Sequence, residues 1–256
     1  MLDKVVESFD KAVEDIDDGS TCMMFCWIST GTPCNLIRAL YNKGSKDLTI
    51  ISHNFVPGFI GIGGDVHVLS QDEYSTPFLL QDQVSQLITA WPSPAIVGMD
   101  STLNLENVKI EITGHGTLVE RIRAGGSGIG GFYTAVGIGT VFEEGKEKRT
   151  VDGKEYILEK PLKADFGFVR AYKADKSGNL VYRVSERGCN PVLAMASIIT
   201  IAEVDEVVEV GELDPESIVT PGIFIDRIVK IPHGGMGSRI YMKKLIQEKI
   251  GSEKKA

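Results

Sequence analysis

The chain has 256 residues, 43% hydrophobic and 24% charged, enough to bury one large core or two small ones. A net charge of −8, with scattered basic residues, excludes the concentrated positive field that a nucleic-acid backbone needs. No run of eighteen apolar residues occurs and the N-terminal stretch is acidic and amphipathic, so a cytoplasmic protein with no membrane partner is expected.

In chain order, DKVVESFDKAVEDI places Val5, Phe9, Val13 and Ile16 at helical spacing, and Asp17-Asp18-Gly19 stops the predicted helix. TCMMFCWI (21–28) is a continuous apolar run of strand length, the pattern of a strand covered on both faces. After a turn at STGTP, NLIRALYNKG (35–44) reads as a helix ended by Gly44, and DLTIIS (47–52) as the next buried strand. This βαβ unit predicts an open, mostly parallel α/β sheet flanked by helices. DQVSQLITAW (82–91) reads as helix, VKIEIT (108–113) as strand, and GTLVERIRAGG (116–126) as a helix closed by glycines. The polar stretch 142–161, with Asp152-Gly153 between two strand-like runs, predicts a β-hairpin excursion. A strand, a Lys-Ser-Gly-Asn turn and a second strand follow over 165–183, then a helix and a strand over 191–211. One domain over residues 1–250 with a disordered tail, GSEKKA (251–256), is the economical reading.

The cysteines Cys22, Cys26, Cys34 and Cys189 fit reduced thiols, and no second Cys/His pair stands at a zinc spacing from Cys22 and Cys26. No metal is therefore expected. The loop after 116–126 holds Gly125, Gly126, Gly128, Gly130, Gly131, Gly137 and Gly139, which implies either stacked turns or backbone that must approach a ligand. GGSGIGGF is not a dinucleotide fingerprint, because a helix precedes it and an extended run follows.

Taken whole, residues 116–140 resemble the string GTLxERIRAGGxGxxxFYTxxGxGT of the A (alpha) subunits of family I, 3-oxoacid-type CoA-transferases. The resemblance continues through 155–179 and 202–229 and is weakest between residues 55 and 107. It implies a partner B subunit that carries a nucleophilic glutamate in a Ser-Glu-Asn-Gly setting. That glutamate forms a glutamyl-CoA thioester, splitting one hard exchange into easier steps. No permanently bound cofactor is then expected, with coenzyme A, an acyl-CoA and a carboxylic acid as substrates. The one echo in this chain, Glu186 in Ser185-Glu186-Arg187-Gly188, reads as a decoy with surface pairing to Arg183 and Arg187, so no catalytic residue is expected here.

Near the N-terminus, Asp18-Gly19 and Gly31-Thr32-Pro33 stand in the family's register, whereas Phe25-Cys26-Trp27 replaces a Gly-Gly-Phe. That implies a reshaped acyl loop and a shift toward bulkier or more apolar acids. By the same register Ser52-His53-Asn54 stands where the family has Ser-Asn-Asn, and His115 where a Gln is usual. His53, Asn54 and His115 thus become candidate donors to an acyl carboxylate, with a hydrogen-bonded turn histidine as the alternative. Gly126 and Gly128 are placed in a loop facing the subunit interface and the acyl-CoA site. An acyl-CoA hydrolase of the same fold, or a non-catalytic acyl-CoA or nucleotide-binding module, are the competing functions.

Overall fold

The computed structural model describes residues 3–24, 31–53, 59–62, 65–68, 82–91 and 105–233. In chain order the elements are α1 (Phe9–Ala12), β1 (Thr21–Met24), α2 (Cys34–Lys43), β2 (Leu48–Ser52), β3 (Phe59–Ile62), β4 (Asp65–Val68), β5 (Val84–Thr89), β6 (Lys109–Ile112) and α3 (His115–Gly126). They continue as β7 (Phe132–Thr134), β8 (Lys148–Val151), β9 (Lys154–Glu159), β10 (Ala164–Asp175), β11 (Leu180–Val181), α4 (Asn190–Met195), β12 (Ser197–Val208) and β13 (Arg227–Lys230).

The main sheet runs β13-β12-β10-β1-β2-β5-β6 with every neighbouring pair parallel, and β11 adds antiparallel to β10. The apolar run of β1 explains its central place, because successive side chains feed opposite faces. Cys22 and Met24 enter the layer with Leu36 and Leu40 of α2, and Met23 enters the layer with Leu118 and Ile122 of α3. β10 alternates likewise, with Phe166 and Phe168 on the first face and Val169 and Ala171 on the second. α2 ends at Gly44 with φ +82, so the stop expected from the glycine is made by a left-handed residue.

Two elements differ from the periodicity reading. Residues 82–91 hold the strand β5, not a helix. Val84, Leu87 and Ile88 stand at helical spacing, but a register shift opposite Leu48 and Thr49 leaves Ser85 without a partner residue in the ladder. The bulge lets Val84 and Leu87, three residues apart, share one face while Ile88 reaches the other. The expected N-terminal helix shrinks to the single turn α1, capped by Ser8 whose Oγ accepts from the Lys11 N–H at 3.1 Å. Its first residues instead extend along β13, with Val6 N–H donating to Ile228 O at 2.9 Å.

The hairpin excursion forms where expected, β8 and β9 turning at Asp152 (φ +49) and Gly153 (φ +76). Its third strand, β7, pairs with β9 and makes a separate sheet β7-β9-β8. Cys22 and Cys34 are buried and Cys189 is half-buried, and burial pushes the Cys22 and Cys189 thiols up in pKa. Cys26 and the tail 251–256 lie outside the described residues.

Candidate functional site

The C-terminal ends of β2, β5 and β6 lie side by side, the edge at which open parallel sheets place ligands. His53 is the first residue beyond β2, and its carbonyl accepts from Ala90 N–H at 3.3 Å. Beyond β6, Thr113 N–H still donates to Thr89 O at 3.0 Å, and extended Gly114 turns the chain into α3. His115 is therefore the opening residue of that helix, aimed at the same edge. The result is direct contact between residues 62 apart: His115 Nδ1 lies 2.6 Å from His53 Nε2, with ring centroids 4.3 Å apart and planes tilted by 51°. Burial, and secondarily the His115 ring, push the His53 pKa down to about 4. His53 is neutral at pH 7, and one ring donates to the other.

The pair borders a cavity of about 510 Å³ whose other walls are Thr117, Val119 and Glu120 of α3 and Phe132, Thr134 and Val136 from the excursion. Its size suits a small acid or acyl group. Among the described lining residues Glu120 is the charged side chain, and Arg123 holds its carboxylate at 2.6 Å.

Gly31 is not among the described residues lining this cavity; it lies at the entrance to α2, buried with φ +67. Its carbonyl accepts from Asn190 Nδ2 at 3.5 Å. Beside it lies a buried polar network that sequence reasoning missed. Glu203 of β12, fully buried, accepts from the Asn35 and Leu36 N–H groups at 3.0 Å each and so caps α2. Arg170 of β10 approaches Glu203 at 3.8 Å and pairs with Asp205 at 2.8 Å. Burial pushes the Glu203 carboxyl up to about 7, against the opposing pull of Arg170 and the helix N–H groups. The available signal was one charge set within an apolar run, Glu203 in SIITIAEV and Arg170 in FGFVRAY.

The glycines divide by role. Gly126 is the last residue of α3 rather than a loop residue, and a Cβ there would come within 2.8 Å of Met195 on α4. A Cβ at Gly125 would stand 1.9 Å from the Leu162 carbonyl oxygen, so two helices and a strand entry close on this helix end. Gly128 lies in the following loop with φ +71 and open space around it. Arg121, also overlooked, ties α3 down through Glu111 at 2.7 Å and the Lys160 carbonyl at 2.9 Å. Glu186 sits in a turn of 3-10 helix, Val184–Arg187, its carbonyl accepting from Asn190 Nδ2 at 3.0 Å, while Arg183 lies over the Tyr172 ring at 3.5 Å. Phe25, Cys26, Trp27 and Asn54 lie outside the described residues. Among the described residues no three potential ligands gather to hold a metal, and no helix is long and apolar enough to cross a membrane.

The chain is 43% identical over 233 residues to the A-type polypeptide of 3-oxoadipate CoA-transferase from Pseudomonas putida, covering 90% of this chain and 95% of that one. It is 39% identical over 230 residues to the A-type polypeptide of succinyl-CoA:3-ketoacid coenzyme A transferase from Helicobacter pylori, covering 90% and 93%. Its fold superposes on an acyl-CoA transferase apoenzyme of Escherichia coli with a TM-score of 0.70 at 21% identity, covering 89% of this chain and 47% of that one. The chain thus spans about half the length of that solved structure and nearly all of the two curated relatives. The Coenzyme A transferase family profile matches residues 6–231, within which lie both histidines, the cavity and every strand named above, and the chain belongs to that family.

Proposed function

We propose that this chain is the A-type half of a two-subunit CoA-transferase that moves CoA between an acyl-CoA and a carboxylic, 3-oxo acid. The observation that carries the reading is the identity of about 40% to the A-type halves of named CoA-transferases along nearly their full length. The placement of His53 and His115 on one cavity at the strand ends supports it. Among the described residues this cavity holds no ready nucleophile: its one carboxylate, Glu120, is engaged with Arg123. By its family resemblance the attacking glutamate comes from a B-type partner, and this chain supplies the walls and donors that hold the acid.

In that scheme the glutamate's carboxylate attacks the thioester carbonyl, CoA leaves as thiolate, and its attack on the glutamyl carbonyl of the enzyme-bound anhydride gives the glutamyl-CoA thioester and releases the first acid as its carboxylate. The second acid then takes CoA by the reverse sequence. The chain's own residues orient and desolvate the acid. The His115 ring, held by His53, can donate to an oxygen of the substrate, and Val119, Phe132 and Val136 line the acyl body.

The test is expression of the chain with and without a B-type partner. In isolation it should show no CoA exchange, and co-expression should restore it. Robust exchange by the purified single chain would overturn the proposal, and Glu186→Ala would then ask whether the echo of the nucleophile motif is functional.

A further inference from the structure

A substrate acid brings a negative charge, and no lysine or arginine lines the His53–His115 cavity among the described residues. A carboxylate moved from water into such a place without a counter-charge is strongly penalised, as any buried unpaired ion is. From the described elements packed against the cavity, α3 contributes Glu120, already neutralised by Arg123, and the threonine hydroxyl of Thr117. β7 contributes Phe132 and Thr134, and β5 lies beneath with Thr89 directed to the His53 and Trp91 carbonyls. Among the described residues lining this cavity, the groups that can become positive are therefore the two histidines, and their 2.6 Å contact makes them one unit.

We propose that the His53–His115 pair takes up one proton from solvent when the carboxylate of the substrate acid enters the cavity, so that the acid binds as carboxylate plus proton. This rests on the reading of the chain as half of a CoA-transferase that works on an acid. The balance is simple. The neutral pair carries two ring hydrogens, one between His115 Nδ1 and His53 Nε2 and one on an outer nitrogen, so one outer nitrogen carries no hydrogen whichever tautomers are present. One solvent proton fills that nitrogen and turns the pair into a cation whose His53 Nδ1 end is buried and whose His115 ring is exposed. No other bond changes. The depressed pKa of His53 is consistent with a His53 ring that is neutral while the cavity is empty. An amide pair in the same places would bind the acid without any proton, so the double histidine makes acid affinity depend on pH while affinity for an uncharged acyl group does not.

The experiment is calorimetric titration of the complex with its B-type partner, from pH 5.5 to 8.5, with acetoacetate and with its uncharged methyl ester. Two buffers of different ionisation enthalpy count the protons. The expected result is acetoacetate affinity that falls about tenfold per pH unit on the alkaline limb, with proton uptake approaching one. The ester should be independent of pH, and the alkaline fall should vanish in the double variant His53→Gln, His115→Gln. His115 is exposed at the start of α3, so His115→Gln, which leaves only His53 with its depressed pKa and should move the alkaline limb to lower pH, keeps the test alive should the double variant fail to fold. Affinity that is flat across the range, absence of acetoacetate binding, a slope that survives in the double variant, or an alkaline limb unmoved in His115→Gln overturns the inference. CoA transfer accompanied by pH-flat acid binding refutes the proton coupling alone, whereas proton-linked binding without any CoA transfer keeps the coupling and refutes the transferase reading.

Discussion

Replacing Glu203 by glutamine isolates the effect of one buried proton on stability. Glu203 is 0% exposed, accepts two α2 N–H groups, and lies 3.8 Å from Arg170. Its carboxyl is raised from 4.5 to about 7, burial being the larger cause. A carboxyl raised in the folded state binds its proton more tightly there than when unfolded. Its contribution is therefore complete below pH 4.5 and is lost as pH climbs toward 7. The shift corresponds to about 3 kcal/mol across that window. Glutamine keeps an acceptor for the α2 N–H groups and cannot ionise, so the variant lacks this slope. Urea denaturation of the full chain and of Glu203→Gln at pH 4.5, 6 and 7.5 should show the stability difference moving toward the variant by about 3 kcal/mol as pH rises. The His53 contribution runs oppositely, growing as pH rises from about 4 to 6.5, but it is common to both proteins and cancels in the difference. A stability difference that stays constant from pH 4.5 to 7.5 would refute the reasoning and leave Glu203 ionised throughout.

Gly125→Ala should lower the melting temperature substantially, by a destabilisation of about 1–3 kcal/mol, because its Cβ would overlap the Leu162 carbonyl. Thermal denaturation beside Gly128→Ala, where only the left-handed φ opposes a side chain, should show the Gly125 variant to be the worse; the reverse order would refute the close-approach argument. Asp175 accepts from the Ser177 and Asn179 N–H groups, the Ser177 hydroxyl and the Asn179 amide, and these bonds outweigh its burial to hold the carboxyl below its ordinary range. Asp175→Ala should therefore cost about 2–4 kcal/mol in denaturant unfolding, the desolvation penalty of several stranded donors, and a loss below about 0.5 kcal/mol would mean that water replaces them freely.

Local patterns carried much of the architecture. The two-sided apolar runs of β1 and β10 imply a parallel sheet covered on both faces, Gly44 stops α2, and Asp152-Gly153 turns the hairpin, because each of these is decided by neighbours within a few residues. The family string around 116–140 pointed to α3 and its histidine, and the strand-end position of His53 could be read from the run before it. Tertiary structure decided the rest. β5 looks helical until the bulge at Ser85 shows how three-residue spacing can serve a strand, and that bulge depends on the register with β2. The tight fits of Gly125 and Gly126 depend on Leu162 and Met195, and the cap of α2 comes from Glu203, 168 residues beyond Asn35. The pairing of His53 with His115 has the same origin: periodicity places each at a strand end, but only the β2-β5-β6 order brings those ends together and puts the two ring nitrogens within hydrogen-bond reach.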